Sequence, residues 1–329
     1  MAAETGRHRI RRGVRRAAVR VAVSVVAVSV FAVVGNEWAT WRGVEAQLTT
    51  LPADLLDGLV DRPARAAAAG AQDEPTTVLL IGADKAAGET LDQAKGASDT
   101  VMLLHFNAAR TRADALSLPR DAVLGTPDRG PMRVGAMLPE GGVPLVVATV
   151  EKATGVRIDH ITVGDLSSIG EITTEVGGVQ VNNVVAGTDP LTGRHYPVGA
   201  LSLSGDEALT WARWINGLQG GDLERIVHQH QLLNGVRAKL GGWDLAKDPG
   251  VLGRVAATFT RHLTVDADLD LDTATALFGD LAQVPADRLR YYTAPLDPSG
   301  LRLDEARLKD AGTALNEDRD LPLTATIVP

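Results

Sequence analysis

The chain contains no cysteine, which excludes disulfide bridges, thiolate nucleophiles and cysteine-held metals and leaves no trace of the redox compartment. Basic residues are scarce outside one short stretch. The first twenty residues hold Arg7, Arg9, Arg11, Arg12, Arg15, Arg16 and Arg20 against Glu4 alone. The remainder keeps 26 of the 33 Lys and Arg residues and 40 of the 41 Asp and Glu residues, a balance of −14. A body this acidic lacks the basic face that general nucleic-acid binding requires, so any phosphate it holds must meet a local cluster of cations. No Walker loop, zincin helix or nucleophile elbow is present, and no internal repeat. His228 and His230 are two apart, point to different faces of a helix and do not form a histidine metal pair. What is present is ample apolar material: 45% of 329 residues are hydrophobic, enough for one large core or two small ones.

Behind the arginine block, residues 21–35 carry no charge, and Trp38 and Trp41 stand where interfacial aromatics sit. The positive-inside rule makes residues 1–20 a cytoplasmic tail, 21–38 a single transmembrane signal-anchor in the cell membrane, and everything beyond extracytoplasmic. The competing reading is a cleaved signal peptide, with Phe31-Ala32-Val33-Val34-Gly35 as its small-residue site.

Residues 39–75 read as a helix followed by an alanine-rich tether. From 76 the pattern alternates. Strands are expected over 77–82, 100–106 and 112–118, the last two joined by a turn at 107–110, then a helix over 144–154 that stops at Gly155. A strand over 158–163, a helix over 165–176 and a strand over 179–184 come next. Ser204-Gly205-Asp206-Glu207 has the form of a capping box opening a helix to about Trp214, and a second helix runs from 222 to about 240 beyond a Gly-rich break. This order predicts an α/β domain, a central mixed sheet with helices on both faces, over residues 76–295. Residues 296–329 read as a C-terminal tail, surface-lying or loosely packed.

Antiparallel pairing of the second and third strands brings Asp99 and Arg120 to one end of the sheet. Asp84 joins them if the first strand runs parallel to the third. Two carboxylates beside an arginine suit a hard divalent cation such as magnesium together with a phosphate gripped by the guanidinium. On the helix pair, Arg213 ends the first helix, and Arg225 and Gln229 lie four apart on the second with Asp222 one turn earlier. From spacing alone the plainer reading is favoured, in which Asp84 and Asp99 are turn residues, Arg120 pairs with Asp121, and Asp222–Arg225 is an exposed ion pair.

Taken in order, the blocks resemble a known family. Thr77-Val78-Leu79-Leu80-Ile81-Gly82-Ala83-Asp84, Ser98-Asp99-Thr100-Val101-Met102-Leu103-Leu104 and Ser117-Leu118-Pro119-Arg120-Asp121 are similar to the opening signatures of the LytR-CpsA-Psr family. Val150-Glu151-Lys152-Ala153-Thr154-Gly155, Val176-Gly177-Gly178-Val179, Leu203-Ser204-Gly205-Asp206-Glu207-Ala208-Leu209 and Asp222-Leu223-Glu224-Arg225-Ile226 are similar to its later ones. The resemblance implies a membrane-anchored phosphotransferase. Such an enzyme moves a glycopolymer from a polyprenyl-pyrophosphate carrier, whose lipid lies in an apolar tunnel, onto peptidoglycan through a phosphodiester. It implies catalytic roles for Asp84, Asp99 and Arg120, pyrophosphate binding by Arg120, Arg213, Arg225 and Gln229, and magnesium on Asp84 and Asp99. It also marks departures. Ala97 and Ile215 stand where arginines are expected and Gly135 where an asparagine is, while His228 and His230 replace arginine and glutamine. Two alternatives follow from those losses or from the shared site: a weakened homologue that binds polyprenyl-phosphate lipid as scaffold or regulator, or a polyprenyl-pyrophosphate phosphatase.

Overall fold

The computed structural model describes residues 49–55, 58–65, 74–83, 98–165, 167–215, 218, 220–241, 258 and 261–326. The expected membrane span, Asp84 and Ala97 lie outside the described residues.

The strands in chain order are β1 (Thr49–Thr50), β2 (Thr76–Ala83), β3 (Ser98–Phe106), β4 (Ala113–Leu118), β5 (Val123–Gly125), β6 (Pro131–Arg133), β7 (His160–Asp165), β8 (Val179–Asn183), β9 (Gly187–Thr188), β10 (His195–Tyr196), β11 (Gly199–Leu203), β12 (Leu263–Val265), β13 (Leu289–Thr293) and β14 (Ala325–Thr326). The helices are α1 (Met137–Thr154), α2 (Ser168–Glu175), α3 (Asp206–Arg213), α4 (Asp222–Gly241), α5 (Leu271–Gln283) and α6 (Glu305–Asn316). Eight strands form one sheet in the order β1-β12-β7-β2-β3-β4-β13-β14. It is mixed, as expected: β2–β3 and β3–β4 are antiparallel, β2–β7 and β4–β13 parallel.

Period-two alternation sorts each strand's side chains onto two faces. Leu79, Ile81, Val101, Leu103, Leu116 and Leu118 point to a face packed by α1 and α6, whose Val146, Val147, Val150, Leu308 and Leu315 are fully buried with them. Val78, Met102, Phe106, Ala113, Ala115 and Tyr291 point to the other, under Leu277 and Leu281 of α5. A separate small core joins the β8–β11 hairpin to α3 and α4 through Val179, Tyr196, Trp211, Trp214 and Leu232. Val134–Thr154 is long and apolar enough to cross a membrane. Its apolar side chains face the sheet, which makes it a core helix.

Four expectations need correction. Of the stretch expected as a helix to about residue 59 and a tether from 63 to 75, the described residues up to 65 join the domain: Thr49 and Thr50 pair with β12, Leu51 is buried, and Leu55 and Leu59 pack on the main core. Arg62 donates twice into Glu151, 2.7 Å at the closest, and to the Ile158 carbonyl at 2.6 Å. The helix expected through residue 59 gives way to β1 and turns because its apolar residues are used by the sheet edge and core. The segment after 296 is no loose tail either. α6 is part of the main core, and Gly312 sits so close to α1 that a β-carbon there would lie 1.9 Å from the Thr154 carbonyl oxygen. Beyond it, buried Arg112 binds Asp114 at 2.9 Å and Asp318 at 2.9 Å, while Arg290 takes Asp320 at 2.8 Å. Finally, Ser204 makes no capping box, because the N-cap of α3 is Gly205, in a left-handed conformation with φ 58°.

Arg62 tests the first correction. Its side chain is 8% exposed and that of Glu151 3%, so Arg62→Ala leaves a buried carboxylate uncompensated. Urea unfolding of the variant should show a loss of roughly 3–5 kcal/mol. A free tether would lose nothing.

Candidate active site

Three elements end at one place: β3 begins at Ser98, β4 ends two residues before Arg120, and α4 begins at Asp222. The β2–β3 register shifts there. Gly82 faces Thr100 and Ala83 faces Ser98, so Asp99 is the extra residue of a β-bulge. A bulge bends its strand and re-aims the side chain it carries.

Asp99 Oδ1 is shared by two guanidinium groups, Nη1 of Arg120 and Nη1 of Arg225, the latter at 3.3 Å. Arg225 Nη2 also donates to the Asp99 carbonyl at 2.8 Å. Asp222 closes the circuit: its Oδ2 accepts the backbone N–H of Arg120 at 2.9 Å, and its other oxygen pairs with Arg225 one helical turn on. One turn further, Gln229 Oε1 accepts from Thr100 Oγ1 at 2.9 Å, which leaves its amide N–H groups as donors. The plainer sequence reading is thereby displaced. Arg120 reaches Asp99 in preference to Asp121, 3.9 Å away, and the Asp222–Arg225 pair is buried.

The site is graded from floor to mouth. The Arg225 side chain is 4% exposed, Asp99 13% and Arg120 29%. Burial pushes the Asp222 carboxyl above its usual range and the Arg225 guanidinium below its own, each opposed by the other's charge. Arg120 Nε, Arg225 Nε and Gln229 Nε2 are buried donors with no hydrogen-bond partner among the described residues, and the Asp222 oxygen that pairs with Arg225 lacks a hydrogen-bond partner too. Buried polar groups are ordinarily satisfied. Open donors on two guanidiniums and an amide are the chemistry that an oxygen-rich anion would suit, with the Asp99 carboxylate beside them.

Of the expected residues, Asp99, Arg120, Arg225 and Gln229 come together. Arg213 closes α3 with its side chain exposed. Asp84 is outside the described residues, but the condition set for it is met. β2 runs parallel to β4, and Ala83 delivers the chain to this end of the sheet beside Ser98. Sequence reasoning missed two supports, Thr100 and the backbone contact of Asp222, because both bonds span more than a hundred residues. Gly135 replaces an expected asparagine for a visible reason: its N–H bonds the Arg120 carbonyl at 2.8 Å, and a β-carbon would lie 3.0 Å from the Ser98 carbonyl oxygen. His228 does not face Asp99. It stacks on Trp211 in the small core.

The model of the LytR_cpsA_psr family matches residues 57–296. The chain belongs to the LytR_cpsA_psr family. Among relatives of this family member, a polyisoprenyl-teichoic acid–peptidoglycan teichoic acid transferase, TagU of Bacillus cereus, is 30% identical over 202 residues, 61% of this chain and 64% of that protein. The cell wall biosynthesis protein LcpA of Corynebacterium glutamicum is 26% identical over 64% of this chain and 49% of its own. The chain thus spans less than two thirds of the length of either relative. Among solved structures, TagV of B. subtilis aligns with a TM-score of 0.61 at 20% identity, over 76% of this chain and 99% of that one. TagT bound to LI-WTA aligns with a TM-score of 0.59 at 23% identity, over 78% and 96%. These likenesses establish the α/β fold with its central mixed sheet.

Acid stability should report the burial around this site. Burial lowers His105 and His228 to about 4 and His230 to about 3, with Arg112 and Arg110 adding to the effect at His105. Folded values below the unfolded one mean that their contribution is intact above about pH 6.5 and lost as pH falls toward 4. Asp114, raised by burial to about 6, and Asp222, also raised, work in the opposite sense. The three histidines outweigh these two carboxylates, so the unfolding free energy should fall by several kcal/mol, on the order of 2–3 per histidine before that offset, between pH 7 and 4. A flat urea-midpoint profile over that range would show the rings to be accessible.

Proposed function

We propose that the chain is a membrane-anchored phosphotransferase that moves a glycopolymer from a polyprenyl-pyrophosphate carrier to peptidoglycan through a phosphodiester. The observation that carries this reading is Asp99 held between Arg120 and Arg225, with unpartnered donors on both arginines and on Gln229. The names of its relatives, a teichoic acid transferase acting on peptidoglycan and a cell wall biosynthesis protein, support the substrate class.

The pyrophosphate oxygens take the open N–H groups of Arg225 and Gln229 at the floor and of Arg120 at the mouth, with Arg213 above. Once phosphate oxygens occupy the guanidiniums, Asp99 Oδ1 is released to accept the proton of an acceptor hydroxyl. That hydroxyl forms a bond to the glycan-side phosphorus, the bond to the bridging oxygen breaks, and polyprenyl phosphate leaves. Magnesium fits this donor set, because it is usually held by one or two carboxylates together with substrate phosphates. Asp99 and Asp84 would hold it, and it would neutralise charge on the phosphates. Phosphoryl transfer needs little covalent work from a protein, and a site made of positioned charges and one base suffices.

A second reading has its own support. His228 is buried, turned into the small core and neutral at pH 7, and Ile215 is half-buried and apolar, so with Ala97 three of the expected cations are gone. A site with fewer cations binds polyprenyl-phosphate lipid without turning it over, as a scaffold or regulator. The deciding experiment follows magnesium-dependent release of polyprenyl phosphate from a polyprenyl-pyrophosphate-linked oligosaccharide by the full chain, with and without a peptidoglycan fragment. Release that depends on the acceptor supports the transferase, acceptor-independent release supports a phosphatase, and tight binding without release supports the scaffold.

Two substitutions sharpen it. Asp99→Ala should lower turnover by about 10²–10⁴-fold, the range of a lost general base. Unchanged turnover removes Asp99 from the mechanism. Ile215→Arg should tighten pyrophosphate binding measured by calorimetry by about tenfold or more, one charge-assisted bond being worth about 1.5–3 kcal/mol. No change in a folded variant would mean that residue 215 does not look into the site.

A further inference from the structure

His228 belongs to neither the phosphate site nor the main core. It is 4% exposed on α4, on the stripe that continues through Leu232 and Val236 into the small core, whereas Arg225 and Gln229 lie on the stripe that faces Asp99 and Thr100. Its imidazole stacks on the Trp211 indole, ring centroids 4.1 Å apart and planes 23° apart, and on Trp214 at 5.6 Å and 19°. Trp214 in turn meets Tyr196 of β10 at 5.1 Å, and lies so close to Gly187 of β9 that a β-carbon there would be 2.6 Å from its ring. Trp211 lies two residues before Arg213, in the last turn of α3.

We propose that His228 is a positioning residue: it joins the last turn of α3, which carries Arg213, to the middle of α4, which carries Arg225 and Gln229, and so fixes how the two helices present their donors to one pyrophosphate. The Gly-rich connection between these helices cannot do this itself, since residues such as Gly220 and Gly221, the latter at φ 54°, leave the backbone permissive. The stacked ring supplies the constraint that the connection lacks. Burial keeps the ring neutral at pH 7, so it acts through shape and adds no charge to the site. The inference rests on the pyrophosphate reading given above.

The test is calorimetric binding of inorganic pyrophosphate with magnesium to the full chain in detergent, for wild type, Arg225→Ala, His228→Ala and His228→Phe, with near-UV circular dichroism to confirm the tryptophan packing of each. His228→Ala loses the stack and should weaken binding by about tenfold or more. His228→Phe keeps the stack and should stay within about threefold to fivefold of wild type. The pH profile of binding between 5 and 8 should be the same for wild type and His228→Phe. Wild-type affinity in a folded His228→Ala would overturn the inference, as would a folded His228→Phe that falls as far as His228→Ala or shifts the pH profile. Wild type and Arg225→Ala binding equally poorly would remove the pyrophosphate reading itself, and this inference with it.

Discussion

Asp222 binds two things that the chain keeps far apart. One oxygen takes the backbone N–H of Arg120, at the end of β4, and the other takes the guanidinium of Arg225 on its own helix. Through this carboxylate the start of α4 is locked to the end of the sheet, and the two arginines that share Asp99 are brought to bear on it from opposite sides. The lock is made of charges with little exposure. Desolvation opposes such pairs almost as strongly as attraction favours them, so they are weak evidence for stability and better evidence that a geometry is being held. Arg225 Nε and Gln229 Nε2, on the helix that the lock holds, have no hydrogen-bond partner among the described residues, which suits the anion site proposed above.

The two faces of the sheet divide the remaining work. The face under α1 and α6 is aliphatic and close-packed, and it fixes the positions of β2, β3 and β4. The opposite face admits polar contacts where α4 crosses it. Thr100 donates to Gln229, Ser117 bonds His230 at 2.8 Å, and His230 lies 4.8 Å from the ring of Tyr291. His228, Gln229, His230 and Gln231 are all buried in succession, which no amphipathic helix on a protein surface would show. Each looks at a different element: the small core, the site, the sheet and β8. Helix α4 is therefore the hub through which sheet, hairpin and site share one orientation.

That hub explains what could be read from the sequence. Strands β2, β3 and β4 were legible because their apolar runs and the turn at Asn107 are local signals, and the sheet end holding Asp99 and Arg120 followed from pairing alone. Segment 49–65 and helix α6 were misread because their anchors, Glu151 for Arg62 and Thr154 for Gly312, lie far away in the chain. His228 shows a related limit. The family resemblance implies an arginine there, but a helix rotates by about 100° per residue, and that single step from Gln229 turns the side chain from the site to the tryptophans. The bulge at Asp99 could not be read at all, because it exists only in the pairing register.

The charges at the site bear on the choice among readings. Arg120 and Arg225 are balanced by Asp99 and Asp222, so the described residues start near neutrality, with Asp121 more than half exposed and screened by water. A pyrophosphate diester carries two negative charges, and bringing these into a neutral, largely buried pocket is costly unless cations come with it. A divalent cation held by Asp99 supplies two charges and would balance the diester without any further arginine. On this count Ala97 and Ile215 need not have cost the chain its substrate. In the proposed reading they would shift the burden of neutralisation from side chains to a metal, so affinity for a pyrophosphate carrier would depend more steeply on magnesium than in a site that keeps both arginines.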